Sequence, residues 1–183
     1  SDAREAIFEA LEAARPPDAP APTRVDAPVM PDDPMATLRA RVEQSGGRLQ
    51  NASPRDWPAE IEWPTPLESV DHIYVCAAGQ RALASRGVGT KPDRLQDLSA
   101  LEVCVIQAEF AVVENGACWQ IPPFPAERAA TLLAQHLIVL VDSDAVVPSL
   151  HQAYDRIDLA EIDFGWFLCG PSKTADIEQA LVL

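Results

Sequence analysis

The stretch that decides the fold is LEVCVIQAEFAVVENGACWQI, Leu101 to Ile121. Val103–Ile106 is apolar without alternation, so a strand there must be buried on both faces, as strands of parallel sheets are. Phe110–Val113 is a second apolar run, and Asn115-Gly116 is the strongest hairpin signal in the chain. Two or three strands are therefore predicted in quick succession, with an antiparallel element at Asn115-Gly116. Further buried strands are predicted at His72–Cys76, in HLIVLVD (136–142) and in GWFLCG (165–170). Helical patterns alternate with them: PMATLRARVEQSGGRL (34–49), a segment ending near Gly87, PAERAATLLAQ (125–135), the end of DAVVPSLHQAY (144–154), and KTADIEQALVL (173–183). Strands and helices in alternation predict a three-layer α/β domain with a mixed, mostly parallel sheet.

Outward from this core the chain changes character. Residues 2–15 place Ile7, Phe8 and Leu11 at helical spacing, an amphipathic helix stopped by Pro16-Pro17. From Pro16 to Pro34 there are seven prolines and few large apolar residues, which predicts an extended linker. Residues 1–34 are thus expected to be a helix on a tether, and residues 35–183 the α/β domain. Leu183 falls inside an apolar helical pattern without a cap, so the polypeptide is expected to continue beyond it.

The 183 residues suffice for one sizeable core. A formal charge of −14 argues against nucleic acid and anionic membrane surfaces as partners. No apolar run reaches the length of a spanning helix and no signal-peptide pattern is present, which reads as a cytoplasmic protein. Cys76, Cys104, Cys118 and Cys169 form no C-x-x-C pair, so they are expected to be reduced, buried small hydrophobes and not metal ligands. His72, His136 and His151 show no ligand spacing, and Asp142 and Asp144 sit at a strand-to-helix junction, where Asp is a routine cap. Trp57, Trp63, Trp119 and Trp166 are expected in the core or at its rim.

Two motifs carry chemistry. GPSKTAD (170–176) follows an apolar strand, where α/β folds bind ligands. The Ser172 and Thr174 hydroxyls, the Lys173 ammonium and backbone N–H groups would suit a carboxylate or phosphate. Alternatively, Ser172 or Thr174 merely caps a helix and Asp176 complements its dipole. In VENG (113–116), Glu114 stands beside Asn115 and Gly116 as a candidate nucleophile or ligand clamp. Its bland alternative is a solvated Glu on the shoulder of a type I′ hairpin.

AEFAVVENGACW (108–119) and GPSKTADIEQALVL (170–183) together resemble the two signature segments of the LutC/YkgG lactate-utilisation family, which carries a LUD domain. Asn115 and Ala117 stand where the commoner form of the first segment has threonines, and a Gly-rich tail follows the second segment in the family. The resemblance implies a fold of the NagB/RpiA/CoA-transferase type and a role in oxidising L-lactate to pyruvate beside iron–sulfur partner subunits. It places the site at Glu114, Asn115, Gly116, Gly170, Ser172, Lys173, Thr174 and Asp176, with a small anionic ligand. The cysteine and histidine spacing suggests no metal, and no cofactor is evident in this chain, which fits a family whose iron–sulfur clusters are expected on the partners. VENG also resembles the S-E-N-G motif of class I CoA-transferases, which would make Glu114 the nucleophile of an acyl transfer.

Overall fold

The computed structural model describes residues 3–15, 20, 26, 28–66, 69–70, 72–76, 79, 83, 95–170, 174–175 and 181–182. The first helix, α1 (Ala3–Ala13), buries none of its residues, and Ile7, Phe8 and Leu11 are 57–61% exposed. Much of the proline-rich stretch lies outside the described residues. Its end is fastened to the domain: the Pro28 carbonyl accepts from Gln152 Nε2 at 3.2 Å.

Helix α2 (Pro34–Gln44) starts and stops where its sequence dictates. The Asp33 carboxylate accepts from the Ala36 N–H at 2.9 Å, with Pro34 in the first turn. At the other end Gly46 takes φ 90°, and Gly47 N–H closes on the Val42 carbonyl. Of the predicted apolar face only Leu38 is buried. A single turn, α3 (Trp57–Glu60), then carries Trp57 into the core.

Strands β1 (Ile73–Val75), β2 (Val103–Gln107) and β5 (His136–Leu140) form an all-parallel sheet in the order β1-β2-β5. The unalternating apolar run of β2 is explained by its two covered faces. Val103 and Val105 pack with Trp57, Ile73, Val75 and Leu83. Cys104 and Ile106 point the other way, into Tyr74, Leu98, Leu101 and Ala130. Ala130 belongs to α4 (Pro125–Leu133), and Leu98 to a 3-10 segment (Leu95–Ala100). Helical cover above and below gives the three layers of a mixed α/β fold.

Ala108 and Glu109 carry the chain from this sheet into a second. Ala108 N–H donates to Leu140 O, and Glu109 N–H donates to Trp119 O, both at 2.8 Å. The second sheet has the order β6-β3-β4-β7, built from β3 (Phe110–Val112), β4 (Cys118–Gln120), β6 (Val146–Val147) and β7 (Trp166–Leu168). The β3–β4 and β4–β7 pairs are antiparallel, and β3–β6 is parallel. Phe110, Val112, Trp119 and Val147 form its core with Ala153 and Ile157 from the α5 region (α5, Leu150–Arg156). Ser149 caps α5.

Several expectations need correction. The predicted C-terminal helix is replaced, at the positions described, by β8 (Thr174–Ala175) paired antiparallel with β9 (Leu181–Val182). The short apolar run at 181–183 fits strand as well as helix, and three residues cannot show a period. Strand β6 was hidden in DAVVPSLHQAY, read there as a turn before a helix. GWFLCG is a half-buried strand at the edge of its sheet among the described residues, not a fully buried one, and Cys169 is exposed. Strand β5 is likewise half-buried, at the edge of its sheet.

A polar network joins the two sheets. The buried Glu127 of α4 accepts from Tyr74 Oη (β1) at 3.0 Å and from Gln120 Nε2 (β4) at 2.9 Å. Gln120 Oε1 in turn accepts from Trp166 Nε1 (β7) at 2.5 Å. Burial outweighs those two hydrogen bonds and raises the Glu127 pKa. Burial, then the charge of Glu127, raises Tyr74, and the same pair of causes pushes Cys104 up to about 12.

Candidate functional site

The hairpin between β3 and β4 is not the two-residue turn that Asn-Gly predicts. Pairing with the β6 side continues past β3: Val113 N–H donates to Val147 O and Glu114 N–H to Pro148 O, at 2.9 and 3.1 Å. The reversal is therefore delayed into a five-residue connection (113–117). Gly116 N–H closes it on Val112 O at 2.9 Å, and the Asn115 side-chain oxygen accepts from Ala117 N–H at 3.0 Å.

Glu114 is exposed, but it is not an idle solvated residue. Its Oε2 accepts from the Leu150 N–H at 3.0 Å, so the carboxylate ties the hairpin to the first turn of α5. No sequence spacing announced this partner, which lies 36 residues away.

The strand exit at Cys169-Gly170 comes up beside this hairpin. Cys169 Sγ donates to the Asn115 carbonyl at 3.2 Å, and Ser45 Oγ lies 3.4 Å from the same sulfur. Both glycines of the region have left-handed backbones, Gly116 at φ +78° and Gly170 at φ +67°. Both also press on α2. A Cβ on Gly116 would stand 3.1 Å from Val42 N, and one on Gly170 would stand 2.5 Å from Ser45 O. Cys118, next to the connection, has its thiol pushed up to about 11 by burial and then by the neighbouring Cys169.

Asn115, Gly116 and Gly170 are thus gathered at the C-terminal end of α2, while the Glu114 carboxylate turns to the start of α5. Ser172, Lys173 and Asp176 lie outside the described residues, and of Thr174 only its place in β8 is described. Ser45 and Cys169 were missed. Cys169 reads as one more apolar cysteine, and Ser45 as an ordinary helix-ending residue; only the tertiary contact singles them out. Trp57 and Trp119 are buried, as core tryptophans should be. Asp142 O accepts from Ala145 N–H in a tight turn. Among the described residues no three His, Cys, Asp or Glu side chains are grouped to hold a metal ion, and no helix is long and apolar enough to cross a membrane.

A three-layer α/β domain with a hairpin and a strand exit meeting at one edge is the class that these features define. The family model described as LUD domain matches residues 79–183, more than half of the chain, and the chain belongs to that family. The match includes both the hairpin and the 170–176 segment. No curated protein and no solved structure matches the chain.

Proposed function

We propose that the chain is a LutC-type subunit of a cytoplasmic system that oxidises L-lactate to pyruvate. In this reading it is a domain of residues 35–183 with residues 1–34 as a tethered helix, and it works beside iron–sulfur partner proteins. It holds a small anion, a carboxylate or a phosphate, between the VENG hairpin and the GPSKTAD segment. Membership in the LUD family supports the lactate assignment. The observation that carries the site is the 3.2 Å contact from the Cys169 thiol to the Asn115 carbonyl, which brings together segments 54 residues apart.

Lys173 supplies the charge, Ser172 and Thr174 supply hydroxyl donors, and Asp176 completes the ligand-binding set. Gly116 and Gly170 permit close backbone approach, and Asn115 shapes the hairpin. Removing two electrons and two protons from lactate requires an acceptor, and the partners' iron–sulfur clusters fill that role, leaving binding and orientation to this chain. Charge-assisted bonds to the anion contribute about 1.5–3 kcal/mol each. Replacing Lys173 by Ala should therefore abolish growth on lactate in cells where this is the sole copy, with the melting temperature within a few degrees of wild type. Unaffected growth, or an unfolded variant, would refute the role.

An acyl-transferase reading would make Glu114 a nucleophile. Its Oε2 already receives the Leu150 N–H, which favours a positioning role. Glu114→Gln keeps an acceptor for the Leu150 N–H but loses the carboxylate's charge, so anion binding should weaken by only about 1 kcal/mol. Incubation with a panel of short acyl-CoAs should leave no covalent adduct on Glu114 by peptide mass; an adduct would replace the lactate reading with group transfer.

A further inference from the structure

We propose that the last turn of α2 with its cap, Arg41–Ser45, is the positioning element of this site, with the Ser45–Cys169–Asn115 contact as its pin. The inference rests on the anion-site reading above for its purpose, but not for its geometry. Three segments distant in sequence meet here: α2, the hairpin and the strand exit, with Ser45 and Cys169 separated by 124 residues.

Two independent observations place the same helical turn under both halves. The Gly116 Cα faces Arg41 and Val42 so closely that an added Cβ would stand 3.1–3.2 Å from their backbone. The Gly170 Cα faces Ser45, where an added Cβ would stand 2.5 Å from the carbonyl oxygen and 2.9 Å from Ser45 Cβ. Each contact is to backbone or to a short side chain, so neither can be relieved by swinging a flexible group aside. The left-handed φ of both glycines excludes a side chain a second time. Cys169 then fills the gap between the halves, its thiol donating to Asn115 O while touching Ser45 Oγ.

Helix α2 (residues 34–44) lies upstream of the family match, which begins at residue 79. The family segment supplies both halves of the site, and a helix outside it sets how they face one another. Cys169 and Ser45 are positioning residues, acting through Asn115 and Gly170 and not on a ligand.

Amide hydrogen exchange on the full chain tests this residue by residue. In Cys169→Ala the Gly116 and Ala117 amides should exchange at least about fivefold faster, while Val103–Ile106 in β2 stay at wild-type rates, the signature of local opening. Cys169→Ser keeps a donor at this position and should restore protection. Gly170→Ala should loosen the same hairpin amides from the opposite side of the pin. Hairpin exchange at the wild-type rate in Cys169→Ala would overturn the proposal, as would failure of Cys169→Ser to rescue or an equal rise in β2. Lactate-dependent growth is read separately. Local opening with undiminished growth would sink the functional reading and leave the positioning role standing.

Discussion

Replacing Glu127 by Ala should destabilise the protein by about 2–6 kcal/mol, because it leaves the Tyr74 hydroxyl and the Gln120 amide unpaired at about 1–3 kcal/mol each. Both partners are buried, and they belong to different sheets, so each donor left without the carboxylate keeps its full desolvation penalty. For a domain of this size the melting temperature should fall by roughly 5–20 °C. A shift under 2 °C would show that the network adds little to stability.

The same residue gives a pH dependence whose sign is fixed. Burial raises the pKa of folded Glu127 above the ordinary value of 4.5, so the folded chain holds this proton more tightly than the unfolded one. Its contribution is fully present below the unfolded pKa and is lost as pH rises through the folded pKa. Glu127→Gln removes the titration while keeping the size of the side chain. The stability of wild type relative to Glu127→Gln, followed by thermal melts across acid and neutral pH, should therefore decline as pH rises through that window. A difference that grows with pH would contradict burial as the dominant cause.

Trp119→Ala should cost about 3–5 kcal/mol, the usual range for deleting a buried large aromatic. Trp119 is 6% exposed at the centre of the second sheet, with its ring 4.7 Å from Phe167, and Gly165 sits so close that any side chain there would strike the indole. Urea denaturation should show the midpoint falling, with Trp119→Phe losing distinctly less. Strand β4 lies between β3 and β7, so the loss should also loosen the two halves of the candidate site. A midpoint unchanged in Trp119→Ala would mean that the sheet is held elsewhere.

The legible parts of the fold were those written in local chemistry. Asp33 and Pro34 opened α2, and glycines closed it. The two-faced apolar run at Val103–Ile106 announced a covered parallel strand, and Asn115-Gly116 marked the β3–β4 reversal. The details that failed depend on distant partners. The tight turn was opened because Val113 and Glu114 stay bonded to Val147 and Pro148, a pairing with no local signature. The strand at Val146–Val147 is two residues long, too short to show alternation. The C-terminal helix was read from a few apolar residues that suit a strand equally well. For the site, the hairpin and Gly170 were visible as motifs, whereas Ser45 and Cys169 carry no signal until the chain folds them together. Glu127 was unremarkable in PAERAATLLAQ, since a helix pattern does not reveal a carboxylate turned inward.

The passage from β2 to β3 has a further consequence, in cooperativity. Neighbouring amides at Ala108 and Glu109 serve ladders in different sheets, so the two sheets share one uninterrupted length of backbone. Sub-global opening needs a hinge where bonding lapses, and here the bonding passes from one sheet to the next without a gap. The chain from Val103 to Val112 acts as a common spine, and melting either sheet exposes the flank of the other. The edge bearing the hairpin therefore draws part of its rigidity from the parallel sheet, through this shared backbone as well as through Leu168, which packs on that sheet's core.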